Sequence, residues 1–195
     1  LVQGLSEVFE RVVNRAIVLN KIIPPTIPLN YISKFPRIEA MIREIEASGN
    51  YKVIVKDCSL GKNYPVVGVI FINQSDQTYF IKFGSHPIFE LALERTLTEL
   101  LQGQDIRNMK GVKEFSYKNP IDTEVNNLIG ILVNGSGFYP TELFKEKFSY
   151  EFKEFKDIKG WSNKSMLTYL VNLLKKEGHD IFVRDASYLG FPSYH

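Results

Sequence analysis

The sequence predicts an α+β fold. Three observations carry the prediction: helical spacing of apolar residues in "LVQGLSEVFERVVNRAIVLNK", three consecutive β-rich runs after it, and a return of helical spacing in "PIFELALERTLTELLQG". In the first segment Leu5, Val8, Phe9, Val12, Val13 and Ala16 make an apolar stripe, and Gln3, Glu7, Glu10, Arg11 and Asn14 fall on the other side. "KIIPPTIPLNYISKFP" follows, where Pro24, Pro25, Pro28 and Pro36 favour an extended connection because proline lacks an N–H and restrains the residue before it. A second helix is expected over residues 37–48, with Ile38, Met41, Ile42 and Ile45 inward and Gly49-Asn50 as its stop.

The runs "YKVIVKD", "PVVGVIFIN" and "TYFIKFG" are rich in valine, isoleucine and aromatics, as strands require, and "QSDQ" between the last two reads as a hairpin turn. The middle run is almost continuously apolar, so both of its faces should be buried. "CSLGKNYP" before it is a loop. The next helix should run from Pro87 to Gln102, with Gly103 as its stop and Phe89, Leu93, Leu97, Leu100 and Leu101 on the core face. Helical spacing recurs in "DTEVNNLIGILVN" and "SMLTYLVNLLKK".

Composition narrows the function. With 44% hydrophobic and 13% aromatic residues in 195, the chain can bury a core and is not disordered. A net charge of +2, with lysines interspersed among acids as in "FKEKFSYEFKEFKDIKG", leaves no basic stripe for nucleic acid. One cysteine, Cys58, and three scattered histidines exclude an internal disulfide and argue against a structural zinc site. No apolar run approaches 18 residues and no signal peptide is seen, so the expectation is a cytoplasmic protein with no membrane partner.

Two helix faces are candidates for chemistry. Glu7 and Glu10 sit one turn apart with Arg11 beside them, which concentrates hard oxygen ligands and one phosphate-binding fork. Arg95, Glu99 and Gln102 recur on the face opposite the core of the later helix. The plainer account of each is a solvated face, with an Arg95–Glu99 pair worth about 0.3 kcal/mol. Ser85 ahead of the proline reads as a cap for that helix, and His86 as a neighbour of the cap rather than a catalyst.

The segments "VQGLSEVFER", "SLGKNYPVV" and "FGSHPIFELALERTLTELLQG" resemble the YcaO family, and within it the stand-alone bacterial type that assists methylthiolation of a small-subunit ribosomal protein. The resemblance is collinear from Leu1 to about Asp105, faint from Ile106 to about Lys175, and resumes weakly in "DIFVRDASYLGFPSYH". It implies helices packed on a mixed, largely antiparallel β-sheet. It also implies an enzyme that uses ATP and Mg2+ to phosphorylate backbone amides without a glycine-rich phosphate loop. Carried over by motif, Glu7 and Glu10 match metal-binding carboxylates, Arg11 an adjoining arginine and Arg95 a phosphate-contacting arginine. Glu99 and Gln102 belong to the same nucleotide-binding motif as Arg95.

The resemblance further implies that residues 1–195 form one YcaO-like domain fragment, inactive without the family's N- and C-terminal parts, and the apolar surface those parts would cover predicts pairing with a second copy. Its substrate would be a protein or peptide amide, and a ribosomal protein methylthiotransferase a possible partner. Azoline or thioamide formation in peptide natural products is the alternative chemistry. A non-catalytic interaction scaffold is the alternative of another class. Geometry separates the classes, since a nucleotide site requires Glu7 and Arg95 to share one cleft.

Overall fold

The β-rich runs become strands that pair in sequence order. The computed structural model describes residues 1–75, 77–100, 115–116, 125–134, 137–145 and 147–183. It begins with helix α1 (Val2–Leu19), continues through α2 (Leu29–Ile32) and α3 (Pro36–Ser48), and reaches strands β1 (Tyr51–Asp57), β2 (Val66–Asn73) and β3 (Thr78–Ser85). Helix α4 (Phe89–Leu100), the two-residue strand β4 (Phe115–Ser116), α5 (Val125–Asn134), a 3-10 turn (Thr141–Phe144) and α6 (Asn163–Lys176) follow.

The sheet order is β1-β2-β3-β4, and every described pairing is antiparallel. Val66 to Phe71 of the central β2 are all buried, as the continuous apolar run requires. Phe71 and Phe80 face each other across β2 and β3 and stack at 4.8 Å between ring centroids. β4 covers only Thr78 and Tyr79 of β3, so among the described residues the rest of that edge carries no partner strand.

Alternation along β3 assigns the layers. A side chain on Gly84 would run into Thr96 of α4, whereas the ring of Phe83 lies 5.7 Å from that of Tyr139. Consecutive strand residues point to opposite faces, so α4 and the Tyr139 segment cover opposite sides of the sheet. α1 belongs with the latter, since its Asn14 amide donates to the Tyr139 hydroxyl at 3.5 Å. α3 packs on β1 and α4, and α5 and α6 pack on α1.

The proline-rich connection is extended, as expected, apart from the single turn of α2 after Pro28. It lies along the outer edge of β1, where the Ile27 N–H donates to Val55 O at 2.8 Å and Asp57 N–H donates to Pro25 O at 2.9 Å. An edge position suits prolines because they have no N–H to offer a neighbour strand. Residues 148–158 return as an extended strap across the same region. Ser149 N–H donates to Ile23 O, Tyr150 Oη donates to Asp57 O at 2.6 Å, and Phe152 and Phe155 pack into a ring cluster with Tyr31 and Phe89.

Asp57, at the end of β1, is 1% exposed. Burial pushes its carboxyl from 3.8 up to about 6, against hydrogen bonds from Ser59 that favour the ionised form. A raised folded-state pKa costs nothing below about pH 4, where both states are protonated, and lowers stability as pH rises through the 4–6 window. Asp57→Asn keeps an acceptor for the Ser59 N–H, which lies 2.9 Å from Oδ1. Urea unfolding should find it equal to the unaltered protein near pH 4 and more stable at pH 7.5, by up to about 3 kcal/mol. Greater stability of the unaltered protein at pH 7.5 would contradict this account. Among the described residues no helix is long and apolar enough to cross a membrane.

Candidate functional site

α1 buries Ser6, Phe9, Val13, Asn14, Ile17 and Val18. This stripe is rotated from the one that hydrophobicity alone predicts. Val8 and Val12 are exposed, and Asn14, expected on the polar face, is buried against Tyr139. The sheet, α5 and α6 take that side of the helix, so packing partners rather than residue polarity decide which face is inside. Glu10 lies four residues after Ser6 and four before Asn14, at the margin of the buried stripe. It is therefore half-buried, while Glu7 and Arg11 are exposed.

On the other side of the sheet Ala92, Leu93, Thr96 and Leu97 form the buried face of α4. Gly84 lets this helix approach β3 closely, and the Thr96 hydroxyl turns back to donate to Ala92 O at 2.7 Å. Arg95 and Glu99, one turn apart, are left at the flank of α4 nearest the open edge of β3.

These pieces enclose a cleft of about 380 Å³. α1 contributes Gln3, Glu7, Glu10 and Arg11; β3 contributes Gly84 and Ser85; α4 contributes Arg95 and Glu99. Arg95 Nη2 lies 3.9 Å from Glu7 Oε1 and 3.7 Å from Glu99 Oε1, with all three side chains more than 40% exposed. Pairs this long and wet contribute little stability and leave the guanidinium uncommitted. Gln3 Nε2 donates to Glu7 Oε1 at 3.0 Å, which orients that carboxylate. Burial pushes Glu10 up to about 7; Arg11 and Lys82 oppose the shift, and the charges of Glu99 and Glu7 add to it. Ser85 Oγ is buried without a hydrogen-bond partner, a state that costs about 1–3 kcal/mol.

A second cavity of about 420 Å³ lies by the aromatic cluster of Tyr31, Phe35, Phe89 and Phe155. Its rim charges are largely paired already, Lys34 with Glu154 at 2.6 Å and Lys159 with Glu90 at 3.3 Å. The smaller cleft has the uncommitted polar groups.

Among the described residues no three His, Cys, Asp or Glu side chains converge as a ready-made metal centre. The donor set nevertheless fits a magnesium–phosphate group. Magnesium takes few protein carboxylates and fills its octahedron with phosphate and water oxygens, and arginines and a free hydroxyl can meet the phosphates.

A family model described as YcaO cyclodehydratase, ATP- and Mg2+-binding, matches residues 1–195. The chain belongs to the YcaO family. It is 36% identical over 188 residues to an uncharacterized protein of Haemophilus influenzae, covering 96% of this chain and 32% of that protein. It is 35% identical over 189 residues to the ribosomal protein S12 methylthiotransferase accessory factor YcaO of Escherichia coli, covering 97% of this chain and 32% of that protein. The YcaO chain thus spans about a third of the length of these relatives.

Two solved structures share the fold. The heterocyclase TruD matches with a TM-score of 0.60 at 21% identity, and a heterocyclase in complex with substrate and cofactor with 0.53 at 17%. Each match covers 91% of this chain and 23% of the other.

Of the residues that the YcaO motifs singled out, Glu7, Glu10, Arg11, Arg95 and Glu99 line the one cleft, and Gln102 lies outside the described residues. Sequence reasoning placed Gln3 on the polar face of α1 without assigning it a role, passed over Gly84, and gave Ser85 no part in the site. Gln3 could have been found as the residue one turn before Glu7 on the same face. The sequence suggests Ser85 only as a cap for α4, and it does not serve as one, since α4 starts later, at Phe89, and the Ser85 Oγ makes no hydrogen bond. His86 has the modest role expected of it, accepting the Ile88 N–H at Nδ1 ahead of α4.

Proposed function

We propose that the cleft is part of an ATP- and magnesium-dependent site that activates a protein or peptide backbone amide. The observation that supports this most is the meeting of both glutamate–arginine motifs in one cleft from opposite faces of the sheet. Glu7 and Glu10 hold magnesium, Arg11 and Arg95 hold phosphate oxygens, Glu99 orients Arg95, and Gln102 belongs to the same sequence motif as Arg95. When bound, the cofactors supply the phosphoryl group that turns the amide oxygen into a leaving group, released as phosphate as a nucleophile adds. The protein's part is to neutralise charge and hold geometry, a task for which planar guanidinium groups and fixed carboxylates are suited. Residues 1–195 would then form part of a larger YcaO domain.

The name of the E. coli relative, a ribosomal protein S12 methylthiotransferase accessory factor, favours an accessory role alongside such a methylthiotransferase. The proposed setting is β-methylthiolation of a small-subunit ribosomal protein in the cytoplasm. The family description, a cyclodehydratase, favours azoline formation on a peptide as the second reading.

Calorimetric titration with MgATP tests the site, on this chain and on the chain within a protein of the relatives' full length. Binding in the longer protein, weakened at least about tenfold by Glu7→Ala, is the expected result. Absence of binding in both would remove the nucleotide reading and leave a protein-interaction scaffold as the better account.

A further inference from the structure

We propose that the Ser85 hydroxyl is a nucleotide-binding group of the cleft, donating a hydrogen bond to a phosphate oxygen. The inference rests on the nucleotide reading above and adds a residue that neither glutamate–arginine motif contains.

Ser85 is 2% exposed, lines the cleft, and leaves its Oγ without a partner. Its backbone cannot shift to find one. Ser85 pairs with Val66 in the sheet, the following N–H of His86 donates to Pro65 O at 3.1 Å, and the His86 ring is held by the Ile88 N–H at 3.0 Å. Ser85 is one of the residues that line the cleft, so a ligand seated there is the partner nearest to hand. Glu7, Glu10 and Glu99 line the same cleft, yet none of them accepts from this hydroxyl.

A buried hydroxyl without a partner destabilises the folded chain, and such groups are rare in native proteins without a functional reason. A serine O–H is a donor that needs an acceptor oxygen. The neighbouring cations Arg11 and Arg95 select an anionic one. A phosphate oxygen meets both conditions, and the hydroxyl is already desolvated, so binding incurs no further cost of stripping water from it.

The test is calorimetry of Ser85→Ala and Ser85→Cys beside the unaltered protein, with MgATP and with adenosine, in the longest form that binds MgATP. Ser85→Ala should bind MgATP about tenfold more weakly and adenosine as before, and the weak thiol donor of Ser85→Cys should fall between. Thermal unfolding of ligand-free Ser85→Ala should be unchanged or occur at higher temperature, because an unsatisfied hydroxyl has been removed. Equal MgATP affinity in Ser85→Ala and the unaltered protein would overturn this inference alone. An equal loss for adenosine would overturn the phosphate contact, and a lowered ligand-free unfolding temperature would make the residue structural. Absence of MgATP binding by the unaltered protein would overturn both this inference and the nucleotide reading.

Discussion

Arg95→Ala is expected to weaken MgATP binding about 100-fold while moving the unfolding midpoint by less than about 2 °C. The two numbers separate because the guanidinium does little for the folded chain. Its contacts to Glu7 and Glu99 are 3.9 and 3.7 Å long and wet, the kind of exposed pair that contributes under about 1 kcal/mol. Its proposed work is with the ligand, where a planar fork can hold two phosphate oxygens at once. Arg95→Lys should recover part of the affinity, since the charge remains and the fork does not. If Arg95→Ala binds MgATP as the unaltered protein does, the α4 side of the site is wrong, whatever α1 contributes. If the variant instead unfolds many degrees earlier, Arg95 is a structural residue.

Gly84→Val should be the most damaging single change to stability, with a loss of about 3 kcal/mol or more from a total that is usually about 5–15. A Cβ at this position would overlap Thr96 Oγ1 and stand 3.2 Å from the carbonyl oxygen of Ala92. The first obstacle is a side chain but the second is helix backbone, so α4 as a whole would have to lift from β3. A double-mutant cycle isolates the contact. Gly84→Ala in a Thr96→Ala background should cost about 1 kcal/mol less than Gly84→Ala alone, because the overlapping hydroxyl is gone while Ala92 O still crowds the new methyl group. Strictly additive changes in urea unfolding would mean that the helix relaxes without feeling Thr96. Lifting α4 would also withdraw Arg95 and Glu99 from α1, so MgATP binding should fail together with stability in the valine variant, unlike in Arg95→Ala.

Most of the strand and helix framework was legible because local chemistry and tertiary packing agree. β1 has the bounds of "YKVIVKD", and the apolar run of β2 is buried through Phe71. α3 begins at Pro36, one residue before the expected start, since proline is welcome in a first helical turn. The face of α1 was only partly legible. Val8 and Val12 are apolar and exposed, and Asn14 is polar and buried, because hydropathy does not say where β3, α5 and α6 will lie.

The site shows the same division. The acidic and basic residues of α1 and α4 can be read as two faces with suitable chemistry, but their meeting depends on Gly84 admitting α4 to the sheet edge, and residue spacing does not encode that approach. Ser85 was illegible for another reason: an orphaned hydroxyl is a property of its surroundings, and serine at the end of a strand is unremarkable in a sequence.

The strap over residues 148–158 bears on how the chain tolerates change in length. Its hydrogen bonds return to residues far behind it, 126 positions from Ser149 to Ile23, 124 from Phe155 to Tyr31 and 93 from Tyr150 to Asp57. Closing loops of that size costs entropy that grows only with the logarithm of their length, so even a doubling adds only about 0.6 kcal/mol. Residues 101–124, between α4 and α5, lie inside all three loops. A change in the number of residues inside these loops therefore alters their closure cost little, while the anchors at Ser149, Tyr150 and Phe155 must keep their spacing to meet a rigid sheet edge and aromatic cluster.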